Sequence, residues 1–488
     1  MLGLIPADKH RTSLRLPSLS TGSNKTGGIG GFAVLRYIPL VLLAAGLSAT
    51  TSSPVLSQTH SYRPPLAPAP PVPPITPVAA QALLEPLKPR IQELLPILKG
   101  TGDYDAYFTA AFIAQVPKAK FDQVNAQLTG ALGPVQGIEA IVPAGRNQAM
   151  VTVGYRDGTA SMAMVFAESP PYQVSGLLVT GTTSREASVA AVVDSIKALP
   201  GTTNFAIARL DGSKPTLIAS HNPDHPLALG SAFKLVILAE LVRATNASER
   251  KWSDTVTLDG SELPGGVFTQ VPQGTQVPLD QLATMMISLS DNSATDVLLK
   301  ALGRTKVEAM LPVVGVAKPS GMRPFLGTME AFKLKGIDKG ALGQRYIALD
   351  EAGRRAMLDK EVAAQPGSAV DPNLFKDGKP VMIDTIEWFA SASDMVRVMD
   401  WLRRNSEGNP TARQILSVNP GIGAAAAKWR YAGFKGGSEP GVINMTLLLQ
   451  GKDGGWYALS GGWNNAAAAV DSARFAGLLT RAAELAAP

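Results

Sequence analysis

The 488-residue chain has no cysteine. That excludes disulfides, zinc thiolate centres and a cysteine nucleophile. Histidine is scarce too: only His10, His60, His221 and His225 occur. His10 lies in the leader region and His60 beside a proline-rich stretch, which leaves little material for a histidine metal cluster. No metal and no organic cofactor is expected. The apolar run at 37–49 is shorter than the about 20 residues a membrane-spanning helix needs. Charge of one sign is also weak. The formal +6 owes much to the first 50 residues, where Lys9, Arg11, Arg15, Lys25 and Arg36 face only Asp8. The remainder is near neutral, so no nucleic-acid partner is expected.

What is present is ordinary globular material: 45% hydrophobic and 17% charged residues, enough for a full core. The length allows two or three domains. Arg36 precedes the 37–49 run and small residues follow it, the pattern of an export signal with cleavage near Ala49. A start site further downstream, or a retained anchor, are the alternatives. Residues 1–49 are therefore read as a signal peptide. A periplasmic or extracellular location follows, with no stable membrane span after cleavage. Residues 50–78 include a run of prolines from Pro64 to Pro74. Such a run favours extended backbone and reads as a semi-rigid spacer.

Residues 79–185 read as a small α+β domain. Apolar spacing predicts helices over 81–98, 105–115 and 118–132. Strands follow at 137–142, 149–155, 161–167 and 174–180, with Asp157-Gly158 marking a tight hairpin. No acid/base pair of convincing spacing occurs here, so a packing or recognition role is expected. Residues 186–488 read as the larger domain. A helix at 188–199 leads to strands at 205–210 and 215–219, and a long helical region covers about 231–420. Strands return at 431–435, 442–450 and 456–461, and a helix at 471–486 closes the chain. Early and late strands are too few to stand alone, so they must meet in one antiparallel sheet packed by helices.

Three local features carry chemistry. Gly230-Ser231-Ala232-Phe233-Lys234 opens an apolar helix. A serine there sits where free N–H groups favour developing negative charge. Lys234 lies one turn along the same face, and burial would make it a base. The bland reading is a capping serine and a solvated lysine, and Ser248-Glu-Arg-Lys251 is a second copy best read as surface. Ser290-Asp291-Asn292 lies between apolar stretches. It suits a helix cap as well as a proton relay through Ser290 and a substrate-amide contact through Asn292. Lys435-Gly436-Gly437-Ser438 ends a predicted strand, where glycines allow close approach of a substrate backbone. Seen alone, it is as easily a glycine-rich turn.

In this order the three features resemble the motif set of penicillin-recognising serine enzymes. The resemblance to class A β-lactamases covers about 186–488. The chain is also similar to a subgroup in which a steroid-isomerase-like α+β domain precedes the enzyme domain, as in the β-lactamase-like protein of clavulanic acid clusters. Arg323–Lys335 and Lys435–Gly441 carry that likeness. The implied fold class is α+β: a cystatin/steroid-isomerase-like domain, then a β-lactamase/transpeptidase-like antiparallel sheet flanked by helices, with an all-helical subdomain. The implied roles are Ser231 as acylated nucleophile, Lys234 as its base and Ser290 as proton relay. Asn292, Lys435, Gly436, Gly437 and Ser438 would bind substrate. The N–H groups of Ser231 and Ser438 would form the oxyanion hole. The implied partner is a small molecule: a β-lactam, ester or peptide with a carboxylate.

Two departures stand out. The Glu-x-x-Leu-Asn loop, whose glutamate activates the deacylating water in class A enzymes, does not occur; Glu330 lies in the right stretch without matching neighbours. Gly436 stands where a threonine or serine is usual. Acylation is thus easier to defend than deacylation. A binding or sensor module acylated slowly or not at all is the rival. A Ser-His-Asp hydrolase is disfavoured, because the Gly-x-Ser-x-Gly elbow is missing and only His221 and His225 lie in the larger domain.

Overall fold

The computed structural model describes residues 84–488. The signal peptide expected over 1–49 and the spacer over 50–78 lie outside the described residues.

Residues 84–184 build a four-stranded antiparallel meander on a layer of short helices. The strands Val135–Gly145, Gln148–Tyr155, Gly158–Phe166 and Val174–Ser184 pair in sequence order. The second and third are joined through Arg156 and Asp157, at the expected hairpin. Two predicted helices are broken. The span expected over 81–98 contains Lys88–Gln92 and Leu94–Leu98. Pro96, inside the run, lacks the N–H that would continue the ladder across Glu93. The span expected over 105–115 splits into Tyr104–Tyr107 and Ala110–Gln115. Between them Phe108 turns extended to bridge Val174, and Thr109 caps the second helix through the Phe112 N–H. Helix Lys118–Leu132 forms at its expected bounds. Ile91, Leu94, Tyr107, Phe108, Val151 and Val153 make the local core.

Beyond residue 185 a five-stranded antiparallel sheet runs in the spatial order Tyr431–Glu439, Val442–Gln450, Trp456–Asn464, Thr202–Arg209, Thr216–His221. Early and late strands meet: Tyr457 pairs with Arg209 and Asn464 with Thr202. One face of this sheet is covered by Val189–Lys197 and the closing helix Ser472–Leu485, around Phe205, Leu447, Leu459 and Phe475. The other packs on the helical insert, whose centre is the helix Lys234–Asn246, buried from Lys234 to Val242.

The helical region expected over 231–420 is not continuous. Thr255–Thr257 pairs with Gln276–Pro278, and Leu227–Ala228 with Phe389–Ala390. The stretch between the first pair carries Gly260, Pro264, Gly265, Gly266, Pro272 and Gly274, residues that cannot sustain a helix. The closing helix also leans on the N-terminal sheet, where Thr182 Oγ1 donates to the carbonyl of Ala473 at 2.9 Å.

Candidate active site

The residues around Ser231 are fixed from both sides. Strand Leu227–Ala228 delivers the chain to Leu229, whose N–H donates to the carbonyl of Trp388 at 3.0 Å. Gly230 then adopts φ +48°, and its N–H donates to Glu387 Oε2 at 3.2 Å. A 3₁₀ turn over Gly230–Phe233 leads into helix Lys234–Asn246. Phe233 is stacked on Trp388 at 3.7 Å and meets Phe325 edge-on at 5.7 Å, so the turn is seated in aromatic packing. Ser231 is left half-exposed at the helix N-terminus, on the wall of a cleft of about 430 Å³.

Lys234 is fully buried. Its Nζ donates to the Ser290 carbonyl at 2.6 Å, to Asn292 Oδ1 at 2.7 Å and to Ser290 Oγ at 3.3 Å. Burial pushes its pKa down to about 7, against the opposing pull of Asp296 and Asp291. Lys435 is buried as well, and its Nζ donates to Ser290 Oγ at 3.0 Å. Burial, and the neighbouring Lys234, hold Lys435 well below the usual lysine range. Ser290 Oγ therefore lies between two lysine nitrogens.

The middle motif caps a helix and also lines the cleft. Asp291 starts helix Asn292–Leu302 through the Ala294 N–H at 2.7 Å. It also takes Ser293 Oγ at 2.5 Å and the Val267 N–H at 2.6 Å. With Asp291 so anchored, Ser290 at φ +56° and Asn292 flank the lysine. The cap lies on Asp291, and Ser290 and Asn292 flank it in the same turn.

The third motif does not end its strand. Pairing runs on to Glu439 opposite Val442, so Lys435-Gly-Gly-Ser lies within Tyr431–Glu439. The two glycines suggest a strand end, but the close approach of the Ser231 turn is what requires Gly437, and the Phe434 ring crowds Gly436. A Cβ on Gly436 would meet the Phe434 ring at 2.7 Å, so the hydroxyl-bearing side chain usual there would require that ring to shift.

Ser231, Ser290, Asn292, Lys435, Gly436, Gly437 and Ser438 all line the one cleft, with Lys234 beneath it. His221 and His225 do not line it. Ser248 and Lys251 of the second Ser-x-x-Lys are exposed beyond their helix. Glu330 is committed elsewhere. Its carboxylate takes two bonds from Arg304, at 2.6 and 3.0 Å, and the Gly327 N–H at 2.7 Å.

Sequence reasoning missed several groups. Val179, Gly181 and Thr182 of the N-terminal sheet stand on the cleft wall, and no local motif marks them. Asp296, one turn past Asn292, takes the Thr328 and Met329 N–H groups at 2.7 and 2.9 Å. Burial raises its pKa to about 6, against those hydrogen bonds. Glu387, Lys335 and Glu439 also line the cleft. The only signal for them is that Lys335 and Glu439 fall in the two segments that carried the subgroup likeness.

The model of the beta-lactamase enzyme family (Beta-lactamase2) matches residues 185–459. The chain belongs to the beta-lactamase enzyme family. Among solved structures it is similar to a beta-lactamase from Sphaerobacter thermophilus DSM 20745, at 22% identity over 61% of this chain and 94% of that one, TM-score 0.41. It is similar to a beta-lactamase from Chitinophaga pinensis DSM 2588, at 14% identity over 61% and 96%, TM-score 0.39. It is also similar to PBP-A, at 14% identity over 61% and 93%, TM-score 0.39. No curated protein matches the chain. Among the described residues no helix is long and apolar enough to cross a membrane.

Proposed function

We propose that this family member is a serine hydrolase that forms an acyl-ester on Ser231 with β-lactams or related amides and esters. The observation that carries the reading is the buried Lys234, its pKa lowered to about 7, held by Ser290 and Asn292 one turn from a serine on the cleft.

In this mechanism Ser231 Oγ attacks the substrate carbonyl carbon while its proton passes to the neutral Lys234 amine. The oxyanion is met by the N–H groups of Ser231 and Ser438. As the carbon–nitrogen or carbon–oxygen bond breaks, the proton moves through Ser290 to the leaving atom, which restores neutral Lys234. Asn292 orients the substrate amide, and Lys435 faces a substrate carboxylate. Gly436 and Gly437 let the substrate backbone lie against the strand.

The second reading is favoured by one observation: both oxygens of Glu330 are occupied by Arg304, and one also by Gly327. With no free glutamate at that place to activate water, the acyl-enzyme would persist. The chain would then act as a β-lactam or peptidoglycan-fragment sensor. The layout we propose is a cleaved export signal over 1–49, a spacer over 50–78, a steroid-isomerase-like domain over 79–185 and the acylating domain over 186–488. Residue 36 before the apolar run and the family's usual export support the periplasmic or extracellular location.

Intact-protein mass spectrometry with a penicillin and a cephalosporin, beside Ser231→Ala, tests both. An adduct that decays into product supports the hydrolase, and one that persists supports the sensor. Labelling that survives in the Ser231→Ala protein rejects the assignment of the nucleophile.

A further inference from the structure

Three ionisable side chains in the cleft have no part in the steps above. Lys335 Nζ donates to Glu387 Oε1 at 2.8 Å and to Glu439 Oε1 at 2.6 Å. Their side chains are 1%, 2% and 10% exposed respectively. Two carboxyls and one ammonium in so dry a place leave a surplus negative charge, unless one carboxyl keeps its proton.

The placement of the trio is specific. Glu387 Oε2 accepts the N–H of Gly230, the residue before Ser231. Glu439 directly follows Ser438 in the strand Tyr431–Glu439. Lys335, from the helix Thr328–Gly336, bridges the two. The two backbone N–H groups assigned to the oxyanion hole come from separate parts of the chain, the turn at Ser231 and the strand at Ser438. The trio ties the residue before one to the residue after the other.

We propose that Lys335, Glu387 and Glu439 are positioning residues that clamp the two halves of the oxyanion hole together, with one proton held between the two carboxyls. This rests on the acyl-serine reading of Ser231. The proton resides on Glu439: burial first, then the charge of Glu387, raise its pKa to about 8 despite the nearby Lys335. Burial lowers the proton affinity of Lys335, but Glu387 and Glu439 outweigh it, so the lysine stays charged. The groups facing Glu439 are Lys335 from its helix and Glu387 from the segment before Phe389–Ala390. From the nucleophile turn the cluster receives only the Gly230 N–H. The other titratable group on the cleft wall is Lys435. Loss of the proton puts two buried carboxylates side by side, and their repulsion opens the clamp.

The clamp acts on geometry, so it governs the rate of acylation more than the prior binding of substrate. A misplacement of about 1 Å is worth about 100-fold in rate. Glu439→Gln keeps the shape of the protonated form: its amide oxygen still accepts from Lys335 and its N–H still donates to Glu387.

The test is the acylation rate of full-length protein by benzylpenicillin and a chromogenic cephalosporin, by mass spectrometry, from pH 5 to 10. Wild type at saturating substrate should lose rate by about 100-fold as pH rises through about 8, while initial binding should follow the same pH dependence in wild type and Glu439→Gln. Glu439→Gln should match wild type below that pH and lose the alkaline limb. Lys335→Met should acylate slowly at every pH. Melting temperatures are read over the same range on the same proteins. Glu439's carboxyl is raised from 4.5, so its stabilising contribution is complete below that value and is lost as pH rises through about 8. Wild type should therefore melt lower at alkaline pH, and Glu439→Gln should not. An alkaline limb that survives in Glu439→Gln overturns the clamp. If wild type never acylates but the melting difference holds, the acyl-serine reading fails while the shared proton stands. If that difference is missing too, the shared proton falls with it.

Discussion

A Cβ on Gly437 would stand 2.3 Å from the backbone nitrogen of Ser231 and 2.1 Å from the carbonyl oxygen of Leu229. Both obstacles are backbone, so neither can swing aside. Gly437→Ala should push the nucleophile turn off the strand, at a cost of about 1–3 kcal/mol in stability and about 100-fold in acylation rate. Thermal melting and mass-spectrometric acylation read the two effects. An alanine variant with wild-type acylation would mean that the turn and strand need not touch for chemistry.

The pH profile on the acid side should belong to Lys234. Its pKa is lowered from 10.5 to about 7 by burial, so the neutral amine that accepts the serine proton fills as pH rises through that value. Acylation should climb about tenfold per unit below it and level off above it until the alkaline loss assigned to Glu439 sets in near pH 8. The same shift makes the folded state less stable as pH falls through about 7, because the buried amine must then charge. Lys234→Arg, charged at all pH values, should abolish acylation. A profile flat from pH 5 to 7 in wild type would rule out Lys234 as the base.

Lys435 yields a binding prediction. In the empty cleft burial and Lys234 hold its pKa far down, whereas a substrate carboxylate beside it favours the charged form. Binding should therefore take up a proton near neutral pH. Calorimetry of benzylpenicillin with Ser231→Ala, in buffers of different ionisation enthalpy, measures that uptake. It should vanish in Ser231→Ala with Lys435→Met. No uptake in the first protein would mean that the carboxylate docks elsewhere.

Much of this site was legible because each motif is short and sits on an element whose local chemistry announces it. The apolar run after Ser231 and the short, mostly apolar stretch at Val442–Gln450 give the helix and strand directly. Asp291 explains why the middle motif also looks like a cap: it is one. The glycines at 436 and 437 misled on the strand end, because a one-dimensional pattern cannot show that the Phe434 ring crowds the first and the Ser231 turn packs against the second. The helical breaks at Glu93 and Phe108 come from a single proline and from a bridge to Val174, far away in sequence. The pairing of Glu387 with Lys335 was invisible for the same reason. Their 2.8 Å contact joins positions 52 residues apart, and no spacing rule reaches across that distance.

Asp296 separates charge from scaffold. Its carboxylate takes the Thr328 and Met329 N–H groups, and its charge also raises the pKa of Lys234. Asp296→Asn keeps one acceptor oxygen and loses the charge. The lost hydrogen bond costs about 1 kcal/mol, partly offset because a carboxyl whose pKa burial raises to about 6 no longer has to ionise. That stabilising contribution, present at low pH, is lost in wild type as pH rises through about 6. The variant should therefore melt within about 1 kcal/mol of wild type at neutral pH, and its stability should fall less between pH 4 and 7. With less negative charge near Lys234, the acid limb of acylation should move to lower pH. If the limb stays in place while stability drops, Asp296 serves the helix Thr328–Gly336 alone, and Asp291 is the carboxylate left to hold the lysine's pKa up.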